Sequence, residues 1–95
     1  MSNPMGVPPV ELLDAEHDFP CVYTFKIIVN SDPGIEDRVA KAVQDELALP
    51  QPPKYTQRDT SKHTAITIEV MCPSAHKVQD VYKKLMGVPG VILLL

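Results

Sequence analysis

Cys21-Val22-Tyr23-Thr24-Phe25-Lys26-Ile27-Ile28-Val29, then Asn30-Ser31-Asp32-Pro33-Gly34, then Ile35 to Leu47: this run decides the fold. Tyr23, Phe25, Ile27 and Val29 alternate with Val22, Thr24, Lys26 and Ile28, which is the period of a strand with two unlike faces. The odd-numbered set is bulkier and is assigned to the core. The even-numbered set is mixed, as on the more open face of a sheet. Asn30 to Gly34 breaks the strand, with Asp32 suited to cap a helix and Pro33 to its first position. Ile35, Val39, Ala42, Val43 and Leu47 then recur at helical spacing, while Glu36, Asp37, Arg38, Lys41 and Asp45 take the wet face. Pro50, Pro52 and Pro53 end that helix.

Working outward, the second half repeats the logic with a hairpin in front. Tyr55 to Thr60 is a polar strand of the kind tolerated at a sheet edge. Thr64 to Met71 is a clear strand with Ile66, Ile68 and Val70 on one face. Pro73 and Ser74 start a second helix, carried by Val78, Val81, Tyr82 and Leu85 at i, i+3, i+4 and i+7. Gly87 ends it, Pro89 and Gly90 turn, and Val91 to Leu95 is the last strand. The order is β-α-β-β-α-β, the split βαβ arrangement of a ferredoxin-like α+β two-layer sandwich. Right-handed crossovers then give an antiparallel sheet in the order 4-1-3-2, with two helices on one face.

Before this domain, which is expected over residues 19–95, Met1 to Pro9 holds three prolines and a glycine. Residues 1–18 are therefore expected to be a mostly disordered tail, in which Val10 to Leu13 has the makings of a helical turn. The chain has 95 residues, room for one domain with a thin core. Net charge is −3 and no block of like charge occurs, so neither nucleic acid nor an anionic membrane is an expected partner. No stretch has signal-peptide character or the length to cross a bilayer, and two cysteines make no disulfide framework. A cytoplasmic location is the expectation.

Three segments together resemble a known family. Phe19 to Ile27, with its Phe-Pro-x-x-aromatic-Thr-aromatic-Lys pattern, is similar to the start of the first strand in the YbeD-like bacterial family, often labelled lipoate-regulatory-protein-like. Val78 to Leu85 resembles that family's second helix, and Pro89 to Leu95 its last strand. The resemblance spans roughly residues 10 to 95 and rests mostly on packing residues. The family commonly has a Ser, Lys, Gly and Tyr-rich stretch before the third strand, and here Ser61, Lys62 and His63 stand there without the Gly and Tyr. The resemblance implies an ACT-like ferredoxin fold and no particular activity. Asp32-Pro33-Gly34-Ile35 also looks like the turn of ACT regulatory domains at which an amino-acid ligand meets a helix N-terminus. Free amides and the positive dipole end would attract a carboxylate there. The plainer reading is that Pro33 and Gly34 simply start a helix.

Catalysis finds no support. Neither the serine and threonines around His63 nor Ser74 near His76 forms a nucleophile, base and orienter, and the four glycines, at 6, 34, 87 and 90, make no phosphate loop. The first loop lacks the arginine of acylphosphatase-like enzymes and the cysteines of copper chaperones. Val22, Thr24, Lys26, Ile28, Ala65, Thr67, Glu69 and Met71, on the open face, include no aromatic for stacking RNA bases. His17 and Cys21 at the start of the first strand should meet Cys72 and His76 at the end of the third. Two cysteines and two histidines suffice for zinc, but their spacing matches no zinc motif. Packing is the first reading, with a labile disulfide or a metal as alternatives. No cofactor is expected.

The function expected is therefore a non-enzymatic regulatory or ligand-sensing module, binding a small anion such as an amino or organic acid at Asp32, Pro33, Gly34 and Ile35. The alternative is a protein-interaction module. On that reading, Val22, Ile28, Ala65 and Met71 form a partly apolar patch on the open sheet face, serving a homodimer or another protein.

Overall fold

The computed structural model describes residues 7–95. The chain runs α1 (Val10–Glu16), β1 (Cys21–Asn30), α2 (Ile35–Leu47), β2 (Tyr55–Asp59), β3 (His63–Cys72), α3 (Ala75–Met86) and β4 (Val91–Leu94). From β1 onward this is the expected βαββαβ order. The four strands form one sheet in the order β2-β3-β1-β4, all neighbours antiparallel.

The odd-numbered residues of β1 do point inward. Phe25, Ile27 and Val29 are fully buried and Tyr23 nearly so. They meet Ile66, Ile68 and Val70 of β3, then Ile35, Val39 and Val43 of α2 and Val78, Val81 and Leu85 of α3. Each helix turns one apolar stripe to the sheet because its apolar residues recur every three or four positions. Glu46, on the stripe by its spacing, is tied to Lys77 of α3 at 3.0 Å. Ser74 caps α3, its hydroxyl oxygen accepting the Lys77 amide at 3.2 Å.

The start of α2 differs from the expected cap. Gly34, not Asp32, holds the N-cap position, at φ 77, and no side chain caps the helix. Asp32 serves through its backbone carbonyl, which accepts the Ile35 amide at 3.2 Å. A residue before proline avoids the helical region, so Asp32 forms the turn rather than the helix end.

Residues 7–18 also differ from the expected tail. Residues 1–6 lie outside the described residues, but α1 is a full element packed beside α3, with Leu13 and Val7 buried. The Gln79 side-chain amide donates to the Pro8 carbonyl at 3.0 Å. A seven-residue helix has little stability by itself; its apolar contact with the sandwich supplies what propensity does not.

At the other end, β4 is short and irregular. Leu94 pairs with Ile27 and Leu93 with Ile28, but Val29 pairs with Val91, so Ile92 is skipped as a bulge. Gly90, at φ 98, turns the chain into this strand against α2. A side chain there would come within 2.9 Å of the Ile35 side chain.

Truncating Leu13 to Ala is expected to destabilise the protein by about 2–3 kcal/mol, the low end for a buried leucine. Urea denaturation measures this. A free tail would leave the midpoint unmoved.

Candidate functional site

Four places could carry function, and the fold positions each differently. The first is the Asp32–Ile35 turn. Ile35 is fully buried in the core, so it offers nothing to a ligand. The Asp32 carbonyl is taken by the Ile35 amide, and the Pro89–Gly90 turn lies against the Asp32 and Ile35 side chains. Glu36 and Asp37 already set carboxylates in the first turn of α2, where they complement its dipole. The four residues do sit together at the helix start, with Ile35 turned into the core and its amide bonded to the Asp32 carbonyl.

The second place adjoins it. A shallow groove of about 440 Å³ runs between α2 and the turn from α3 to β4. Ala42, Val88 and Pro89 give it an apolar floor; Arg38, Lys41 and Lys84 stand around it with Asp37 and Asp45. Lys41 is paired with Asp45 at 3.0 Å. Among the described residues, Arg38 and Lys84 make no ion pair. Arg38 instead reaches the Pro33 carbonyl at 3.5 Å. Nothing in the sequence links residue 38 to residue 84; only the packing of α2 on α3 does.

The third is the open sheet face. Val22 pairs with Met71 and Ile28 with Ala65, so all four expected patch residues share one face. They form two patches rather than one, because the rows Thr24–Glu69 and Lys26–Thr67 lie between them. Val22 and Met71 are each 55% exposed. The Ile28–Ala65 end is extended by β4: Leu93, 41% exposed, stands beside Ile28, and Leu95, 61% exposed, beside Lys26. The signal for these two was available, since an uninterrupted apolar run in an edge strand leaves some of its residues in water.

The fourth is the cysteine corner. Cys21 and Cys72 are directly opposite in the β1–β3 ladder, both free. Cys72 is buried, Cys21 half-buried. The histidines do not join them. The His17 ring lies against Phe19 and Tyr23, at 5.7 and 5.1 Å between centroids, and His76 is exposed in the first turn of α3. Among the described residues, no three His, Cys, Asp or Glu side chains gather as a metal set. Beneath this corner the Tyr23 and Tyr82 hydroxyls meet at 3.0 Å, and the Tyr82 hydroxyl also donates to the Leu95 carbonyl at 3.4 Å. Burial, and then the Tyr23 bond, push the Tyr82 hydroxyl well above its ordinary range. Burial, and then the Cys21 thiol beside it, push the Cys72 thiol up to about 11.

Residues 14–95 match the family described as protein of unknown function (DUF493). The chain belongs to that family. Its relatives agree. The UPF0250 protein of Shewanella sp. (strain ANA-3) is 27% identical over 78% of this chain and 84% of its own. That of Shewanella sediminis is 27% identical over 84% of this chain and 96% of its own. The UPF0250 protein of Buchnera aphidicola subsp. Baizongia pistaciae is 23% identical over 81% and 88%. This is the YbeD-like family that the strand and helix motifs resemble. The DUF493 match begins inside α1, so the family domain starts before residue 19. Among the described residues, no helix of this DUF493 chain is long and apolar enough to cross a membrane.

Cys72 makes stability depend on alkaline pH. Its folded-state pKa is raised from 9.0 to about 11, so its contribution is complete below pH 9 and is lost as pH rises through 11. The expected loss is about 1.4 kcal/mol per pH unit across that window. Tyr82 adds loss of the same sign above pH 10. Urea denaturation from pH 8 to 11 should show the decline, and Cys72→Ala should delay its onset from pH 9 to above pH 10, where Tyr82 alone contributes. Parallel declines in both proteins would remove Cys72 as the cause.

Proposed function

We propose that this DUF493 chain is a cytoplasmic interaction module that works by association rather than catalysis, and that it pairs with a second copy of itself through β4 and the adjoining sheet face. The observation that carries this reading is the free edge of β4. Val91–Leu94 has no polar side chain, and Ile92, Leu93 and Leu95 are exposed. The Leu95 amide donates inward to the Lys26 carbonyl. Strand alternation therefore turns the Leu94 amide and carbonyl to the free side, open to another strand.

A second copy is favoured by symmetry and charge. Pairing β4 with its own copy closes on a two-fold axis, whereas pairing β4 with β2 would propagate without end. The β2 edge guards against that with Arg58 and Asp59. Two β4 edges bring no like charges together, and they join the Leu93–Ile28–Ala65 patches of the two copies. Edges this short bury less than the ~1,200 Å² of a standard interface, so the dimer is expected to be weak.

Sedimentation equilibrium into the high-micromolar range tests this. The wild type should show a reversible dimer. Leu93→Lys should stay monomeric with a melting temperature changed little, because the residue is exposed. A monomeric wild type at those concentrations rejects the homodimer.

A second reading has its own observation, the groove beside Arg38 and Lys84. There the module would sense a small organic anion, as the ACT-like resemblance of the neighbouring turn implies. The groove's apolar floor suits an anion with an aliphatic body. Thermal melting against a panel of amino and organic acids should show a concentration-dependent rise that Lys84→Ala reduces. A flat response removes this reading and leaves the dimer untouched.

A further inference from the structure

Cys21 and Cys72 are paired in register at one end of the central β1–β3 ladder. The Lys26 carbonyl and the Asn30 amide both turn toward β4 and the turn before it, bonding Leu95 and Gly90. The odd-numbered residues of β1 therefore turn their backbone groups to β3, which makes Cys21–Cys72 a hydrogen-bonded type of pair. Cα atoms at such positions are about 5.5 Å apart, inside the range a disulfide spans. Facing Cβ atoms are about 4.5–5.5 Å apart, whereas a relaxed bridge wants about 3.8 Å. Both thiols are free here, and a bridge would need a small inward shift of the strand ends, a strain that would make it easy to reduce.

The two thiols differ in access. Cys21 is half-buried and reachable, while Cys72 has no exposed surface. Burial and the neighbouring Cys21 thiol also keep Cys72 protonated at neutral pH. Access therefore orders the pair: the reachable Cys21 reacts first, and the shielded Cys72 can act only on a partner already bonded to Cys21, more slowly for being held protonated. The corner also lies where α1 leads into β1 and where β3 leads into the Ser74 cap of α3. β4 pairs with Ile27 to Val29, toward the other end of β1, so the corner forms no part of the edge proposed above to associate.

We infer that Cys21 and Cys72 are a reversible thiol–disulfide pair, oxidised by small-molecule disulfides through a mixed disulfide on Cys21. The Cys21 thiolate attacks one sulfur of oxidised glutathione. The glutathione S–S bond breaks, a Cys21–glutathione bond forms, and one glutathione leaves as thiolate and takes a proton. Cys72 then attacks the Cys21 sulfur while its proton passes to the departing glutathione, which leaves as the second thiol. Two protein thiols are oxidised by two electrons, and one glutathione disulfide is reduced to two thiols.

The test incubates the folded protein with oxidised glutathione and reads intact mass without reduction. Wild type should lose the mass of two hydrogens, carry no glutathione, and recover both thiols in dithiothreitol. Cys72→Ser should retain one glutathione on Cys21. Cys21→Ser should stay unmodified, because Cys72 is shielded. Adding urea above the unfolding midpoint should slow closure of the bridge at least tenfold, since the register that aligns the pair is lost. A glutathione adduct that persists on wild type overturns the inference. So do covalent dimers, two unreacted thiols, or a bridge that closes as fast in urea.

Discussion

The antiparallel pairing of β1 with β3 is the constraint on which the rest of this molecule depends. It runs from Cys21 opposite Cys72 to Asn30 opposite His63. Because side chains alternate across it, this one register sends Phe25, Ile27, Ile66 and Ile68 into the core together. A slip of one residue would turn that set to water. Its far end is pinned by a polar chain in which the Thr64 hydroxyl donates to Asp59 at 2.8 Å and meets the Ser31 hydroxyl at 2.9 Å. Thr64 is buried, and these two partners satisfy it without a charge in the core. The same register sets the two cysteines face to face and divides the open face into two apolar ends.

The helices follow from that sheet. α2 and α3 cover the inner face, and α1 extends the cover past α3. β4 is the element that ties the regions together. Its preceding turn packs Gly90 on Ile35, its inner residue Leu94 closes the core, and its outer residues stay in water. The groove, the helix start and the free edge are therefore neighbours through one turn of chain.

Much of this was legible in the sequence, for physical reasons that differ by element. β1 and β3 alternate strongly, and α2 and α3 keep a helical stripe, so pattern alone assigns them. The sheet order then follows from chain handedness. Only the first turn of α1, Val10 to Leu13, was legible, because a helix of seven residues owes its full length to contacts distant in sequence. The Asp32 cap was misplaced because Gly34, which has no Cβ to oppose a positive φ, takes the N-cap position in its stead. The cysteines were placed correctly by topology, but His17 was drawn away by the rings of Phe19 and Tyr23. Val22, Met71, Ile28 and Ala65 share the open face that alternation assigns them, but as two separated pairs. Cross-strand register, which periodicity does not reveal, sets Thr24, Lys26, Thr67 and Glu69 across the middle.

An all-apolar strand at a sheet margin would ordinarily threaten solubility, since each new copy could extend the last. The skipped residue at Ile92 changes that. It breaks the flat ladder after only a few rungs and throws one side chain out of alternation. A straight partner strand finds matching groups over too short a span to template another layer. The irregularity of β4 thus shortens the regular edge that a further strand could extend.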